Sequence, residues 1–176
     1  SFTGSVEGGH QVNQSAAGRF IDVGLELGGK DPAYVCADAD FDFAVDNCID
    51  GAFYNAGQSC CAVERVYVDR AIYDRFVEAY AERTRAYVLG DPMAATTSIG
   101  PLASKSAPAF LAKQVEDAVR AGGKLVLDPK SFDIPKQGWF AAPAVVADAP
   151  QGCSLMQEES FGPVIGITPV SGDEEA

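Results

Sequence analysis

Residues 41–69 read FDFAVDNCIDGAFYNAGQSCCAVERVYVD, and the reading of this stretch decides the fold. Phe41, Val45, Cys48, Ile49, Ala52 and Phe53 recur at helical spacing, which predicts an amphipathic helix with one buried face. That helix is expected to stop at Asn55-Ala56-Gly57, a glycine stop signal. A short turn, GQSCCA, follows, and Arg65 to Asp69 reads as a strand. Helix, turn and strand in alternation predict an α/β architecture with a largely parallel sheet. The turn holds two adjacent thiols, Cys60 and Cys61, at the kind of position where α/β proteins place chemistry.

Working outward, Phe2-Thr3-Gly4-Ser5 reads as a strand end and turn leading into a helix from about Gly8 to Ala17. Phe20 to Leu27 predicts a strand closed by Gly28-Gly29, and Ala33 to Cys36 a shorter one. Beyond residue 69, the spacing of Ile72, Phe76, Tyr80 and Tyr87 predicts a helix with Asp69 as its N-cap. A further helix, capped by Ser104, carries Leu111, Val115, Ala118 and Val119 and stops at Gly122-Gly123. Lys124 to Leu127, Trp139 to Val146 and Val164 to Val170 read as strands.

The chain has 176 residues, 47% of them hydrophobic, which is enough to bury a core. No apolar run approaches the roughly 20 residues that span a bilayer, and no basic-then-apolar leader opens the sequence. A formal charge of −12 argues against a nucleic-acid surface, which needs clustered Lys and Arg. It leaves nucleotide cofactors open, because backbone amides hold phosphates without net positive charge. Five cysteines without a CxxC pair, and the single His10, provide neither a zinc set nor a disulfide framework. The expectation is a cytoplasmic protein with reduced thiols, no metal and no membrane partner. Cys36 and Cys48 read as core and Cys153, in PQGCS, as an exposed thiol. The abrupt Ser1 opening and the GDEEA ending read as those of a piece of a longer polypeptide.

Four stretches carry the chemistry: FTGS (2–5), LELGGK (25–30), GQSC (57–60) and EESFGPV (158–164). Each alone is an ordinary turn. Together, in this order and spacing, they resemble the catalytic half of the aldehyde dehydrogenase superfamily, and the resemblance covers essentially the whole chain. It implies the tail of a Rossmann-like cofactor domain over residues 1–27 and a partial, three-layer α/β catalytic domain over 28–176. It also implies oxidation of a small-molecule aldehyde to a carboxylic acid with NAD or NADP, in a parent that is a homodimer or homotetramer.

The resemblance assigns roles residue by residue. Cys60 is the nucleophile of the GQxC turn, with Cys61 a bystander, and Glu26, 34 residues earlier, is the general base. Gly4 and Ser5 lie against the dinucleotide pyrophosphate, and Leu27 offers a backbone contact to the nicotinamide. Glu159 binds the nicotinamide ribose, and Phe161 packs beside the nicotinamide ring. A thiolate suits attack on an aldehyde carbon, and a carboxylate suits activation of the water that hydrolyses the resulting thioester. Members that pass the acyl group to coenzyme A lack this glutamate, so Glu26 favours the acid as product. The oxyanion-hole asparagine of the family falls upstream of FTGS; Asn47 and Asn55 do not replace it. CAVER stands where CAGSR or CAPTR is more familiar. The alternative reading is an inactive fragment, or a non-catalytic relative of crystallin or scaffolding type.

Overall fold

Two sheets divide the chain in the computed structural model, which describes residues 1–176. The first pairs β1 (Phe2–Gly4) in parallel with β2 (Leu25–Leu27), and α1 (Val6–Ala16) crosses between them. The second has five strands: β3 (Asp31–Val35), β4 (Val63–Asp69), β5 (Lys124–Leu127), β6 (Ala144–Ala147) and β7 (Val164–Val170). Their spatial order is β3-β4-β7-β6-β5, parallel throughout except for β5, which runs antiparallel to β6. All four residues of β6 and the first four of β7 are buried, so both faces of the sheet centre are covered.

The helices are α2 (Phe41–Phe53), α3 (Tyr73–Thr84), α4 (Ala107–Arg120) and the single turn α5 (Ser154–Gln157). In α2 the apolar stripe falls as the spacing predicts, with Val45, Cys48, Ile49, Ala52 and Phe53 all buried. Asp40 starts the helix by accepting from the Phe43 N–H at 3.2 Å, a cap worth about 1 kcal/mol. Phe53 then meets Tyr80 of α3 edge-on at 6.0 Å, and the buried Tyr80 hydroxyl donates to the Cys48 carbonyl at 3.2 Å. Burial drives the Tyr80 hydroxyl well above its ordinary pKa, so the donor keeps its proton.

Several expected boundaries shift. The strand expected from Phe20 begins only at Leu25, and Phe20 and Ile21 lie exposed. The strand expected from Trp139 starts at Ala144, directly after Pro143, which has no N–H to give a ladder. Asp69 does not cap α3; its carboxylate accepts from Ala71 N–H at 2.9 Å, and Ile72 occupies the cap position without a side-chain bond. Tyr87 lies beyond the end of α3. The Ser104 hydroxyl bonds Ser106 rather than capping an N–H of α4, and Val119 faces outward. Cys153 is buried, not exposed.

Asp148 ties β6 to the edge strand and to α3. Its carboxylate receives Lys124 Nζ at 2.7 Å and the Tyr73 hydroxyl at 3.0 Å, at a left-handed φ of 50°. The Lys124 hydrogen bond, with help from Tyr73, holds the Asp148 carboxyl below its ordinary value of 3.8. A lowered carboxylate pKa stabilises the fold above pH 3.8, and that stability is lost as pH falls through the folded-state value. Asp148→Asn, which tolerates the same backbone, is therefore expected to lower Tm at pH 7 and to converge on the wild type in acid. Thermal melts at steps from pH 7 to 2 check this; a gap that persists unchanged to pH 2 contradicts it.

Candidate active site

The four motif stretches come from distant parts of the chain and meet at one cavity. It holds about 500 Å³ and is lined by Thr3, Gly4, Ser5, Glu26, Leu27, Gly28, Gln58, Ser59, Cys60, Glu159 and Phe161. All seven residues singled out from the sequence line it. Gly4 and Ser5 arrive at the end of β1, Glu26 and Leu27 on β2, Cys60 on the turn before β4, and Glu159 and Phe161 on the turn before β7.

Each element is held by bonds that its sequence dictates. The Ser5 hydroxyl accepts from Gly8 N–H at 3.1 Å and caps α1, so the helix begins at the rim of the cavity with its remaining N–H groups free to meet an anion. The Cys60 turn follows three consecutive left-handed residues: Asn55 (φ 52°), Ala56 (φ 57°) and Gly57 (φ 71°). Only glycine fits the last of these, because a Cβ there would stand 2.4 Å from the Gly162 carbonyl oxygen. The Asn55 side chain donates to the Gln58 carbonyl at 3.1 Å and locks the reversal. Gln58 in turn accepts from Ala103 N–H at 2.8 Å, anchoring the turn to the loop before α4. Beyond this anchor, Cys60 and Cys61 are both exposed, and the Cys61 thiol lies 3.3 Å from the Ser59 hydroxyl.

Glu159 faces Gly28 and Gly29. Its Oε1 accepts from Gly29 N–H at 3.3 Å, and a Cβ at Gly28 would fall 2.0 Å from Oε2. Glycine at position 28 thus makes the room this carboxylate occupies. Burial raises the Glu159 pKa, and the Glu64 charge raises it further, against the Gly29 hydrogen bond and Lys30. Phe161 adopts a left-handed φ of 51°, is 44% exposed and lines the cavity.

Three residues here escaped the sequence reading. Lys30 Nζ bonds Glu64 Oε2 at 2.7 Å and the Ser160 hydroxyl at 3.0 Å, with both charged side chains under 10% exposed. Glu64 also receives the Ser160 and Phe161 N–H groups at 2.8 and 2.9 Å. The third is Gln58. The signal for Glu64 was its place in CAVER, where the alternation of β4 turns the glutamate inward with Val66 and Val68.

A family model described as "Aldehyde dehydrogenase family" matches residues 1–176. The chain is 41% identical over its whole length to a succinate-semialdehyde dehydrogenase (NADP(+)) of Mycobacterium avium, spanning 37% of that protein. Among solved structures it superposes on an aldehyde dehydrogenase from Bacillus cereus with a TM-score of 0.92 and 33% identity, covering 99% of this chain and 35% of that one. It superposes also on betaine aldehyde dehydrogenase from Staphylococcus aureus in complex with NAD+, with a TM-score of 0.91, 31% identity and the same coverages. The chain belongs to the aldehyde dehydrogenase family, and it spans little more than a third of the length of these relatives.

Exposure separates the thiols. Burial pushes the Cys48 thiol up to about 11, which keeps it protonated and unreactive at neutral pH. Iodoacetamide at pH 7.5 is expected to label Cys60 and Cys61 at least roughly tenfold faster than the buried Cys48 and Cys153. Peptide mass spectrometry over a time course reads this directly, and early labelling of Cys153 contradicts it.

Proposed function

We propose that this member of the aldehyde dehydrogenase family oxidises an aldehyde to a carboxylic acid with NAD or NADP, using Cys60 as nucleophile and Glu26 as general base. The observation that carries the reading is the single cavity lined together by Cys60, Glu26 and the five residues assigned to the dinucleotide. The names of the relatives accord with it. The mycobacterial protein is called an NADP(+) succinate-semialdehyde dehydrogenase, and the staphylococcal betaine aldehyde dehydrogenase was solved with NAD+.

The cavity suits a nicotinamide dinucleotide. Backbone N–H groups at the start of α1, behind Gly4 and Ser5, are placed for its pyrophosphate. The Glu159 carboxylate, in the space left by Gly28, is placed for ribose hydroxyls, and the exposed Phe161 ring for the nicotinamide face. When bound, the nicotinamide supplies the two-electron acceptor for the aldehyde C–H bond.

The remaining steps belong to the chain. The Cys60 thiolate adds to the aldehyde carbon, and the carbonyl oxygen becomes the oxyanion of a thiohemiacetal. Fixed N–H donors stabilise such an oxyanion, each worth on the order of 3 kcal/mol of barrier. Oxidation leaves a thioester on Cys60. Glu26, exposed on β2 at the same cavity, takes a proton from water as the water oxygen attacks the thioester carbon. The C–S bond then breaks, the acid departs and the Cys60 thiolate is restored. The separate β1-β2 sheet supports reading residues 1–27 as the end of a cofactor domain and 28–176 as catalytic domain.

The test uses the longest natural polypeptide that contains residues 1–176, assayed with a panel of aldehydes and both nicotinamides. Cys60→Ser is expected to reduce turnover by at least about 10³-fold. Glu26→Gln is expected to keep a first-turnover burst of reduced dinucleotide while slowing the steady state at least about 10²-fold, because only hydrolysis is blocked. Full activity in Cys60→Ser refutes the nucleophile, and an unchanged steady state in Glu26→Gln refutes the base.

A further inference from the structure

The Cys60 turn runs within four residues into a buried carboxylate that the reaction itself does not use. Glu64 sits on the inward face of β4 at 4% exposure, and both of its oxygens are engaged. Oε2 takes Lys30 Nζ at 2.7 Å and Ser160 N–H at 2.8 Å, and Oε1 takes Phe161 N–H at 2.9 Å. Two successive amides of the 158–162 turn therefore point at one charged group. Lys30 closes the arrangement by also donating to the Ser160 hydroxyl at 3.0 Å. The neighbouring Arg65 donates through Nε to the Lys30 carbonyl at 2.9 Å, clamping the backbone that leads away from Gly28 and Gly29.

The bond to Phe161 matters because of the backbone there. A bulky residue held at φ 51° costs about 1–2 kcal/mol against its extended alternatives. A charge-assisted hydrogen bond to its N–H is of the size that offsets this. Released, Phe161 relaxes toward an extended backbone and its ring leaves the cavity, and Glu159, two residues earlier, loses its register against Gly28. Neither Cys60 nor Glu26 is hydrogen-bonded to Glu64.

We propose that Glu64, neutralised by Lys30, is a positioning residue for the dinucleotide: its carboxylate fixes the turn that presents Glu159 and Phe161. The inference rests on the reading that these two residues hold a nicotinamide dinucleotide. It places in the GQSCCAVER segment two separate duties, nucleophile presentation at Cys60 and cofactor-site geometry at Glu64.

The experiment compares wild type, Glu64→Gln and Glu64→Asp in the same natural polypeptide. Three quantities are read: the Kd for NAD+ and for NADP+ by calorimetry, the rate of Cys60 alkylation without dinucleotide, and Tm. Glu64→Gln turns an amide N–H toward the Ser160 or Phe161 N–H, and is expected to raise the Kd of the preferred dinucleotide at least about tenfold. Cys60 alkylation is expected to stay within about twofold, since the thiol turn is anchored by Asn55 and Gln58. Glu64→Asp keeps the charge beside Lys30 but falls one methylene short of the turn, and is expected to give an intermediate Kd. A folded variant with wild-type Kd overturns the inference. So does a parallel change in Kd and alkylation, or failure of both variants to fold, each of which marks a purely structural residue. A wild type that binds neither dinucleotide instead removes the functional reading above, and this inference with it.

Discussion

The Lys30–Glu64 ion pair is the constraint on which the site depends. Two charges taken out of water lose several kcal/mol each in solvation, and their attraction repays this only when the other donors and acceptors are also satisfied. Here Glu64 takes three donors and Lys30 reaches two acceptors. Burial still pulls the Lys30 pKa down, with Glu64 pushing it back up. The geometry is therefore stringent: the connector from β2 to β3, the start of β4 and the turn before β7 must assemble together, or the charges stay unpaired. Those three segments carry Gly28 and Gly29, the exit from Cys60, and Glu159 with Phe161. The order of the sheet follows the same logic, since β7 lies beside β4 and β3 on its other edge.

A second constraint is local and lies just before the thiols. Three left-handed residues in succession are rare outside glycine, and Asn55 and Ala56 cost about 1–2 kcal/mol each. The strain is held by short-range bonds from Asn55 to Gln58 and by the close approach of Gly57 to Gly162. That contact joins the thiol turn to the same 158–162 segment that Glu64 holds. The Cys60 turn and the turn carrying Glu159 and Phe161 are thus set against one another by two independent links, one of backbone packing and one of buried charge.

Legibility in the sequence followed burial. Helix α2 and strand β4 were readable because their apolar residues meet the core at regular intervals. Phe20 and Ile21 misled because apolar character predicts a strand, while in this chain both side chains face outward. Pro143 marks the start of β6, and Asp69 has the residue type of a cap although its carboxylate closes the turn before α3 by accepting from Ala71 N–H. Composition alone would have passed over the cavity residues: Glu26, Cys60 and Glu159 look like ordinary turn and strand-end polar groups. They were picked out by resemblance, and the structure brings them to one cavity. Glu64, Lys30 and Gln58 are harder to read, because their long-range partners lie 34 to 130 positions away; the alternation of β4 turns Glu64 inward but does not say what it meets.

The carboxylates around the cavity differ in what the fold asks of them. Glu64 has every near partner it can use, so its negative charge is consumed by the structure. Glu159 shares the same turn but has a single internal donor, Gly29 N–H at a long 3.3 Å, and its Oε2 has no hydrogen-bond partner within the chain. Burial and the Glu64 charge both oppose its ionisation, which leaves a carboxylate whose charged form gains from any donor brought into the cavity. Neutral hydroxyl groups supply such donors without adding charge. Lys30 is spent on Glu64 and does not reach Glu159 as a hydrogen-bond partner, so the unsatisfied acceptor remains on the cavity side. Had Lys30 paired with Glu159 instead, Glu64 would be buried without a counter-ion, and the turn carrying Phe161 would lose its anchor. The pairing that stabilises the fold is thus also the one that leaves the cavity a free acceptor.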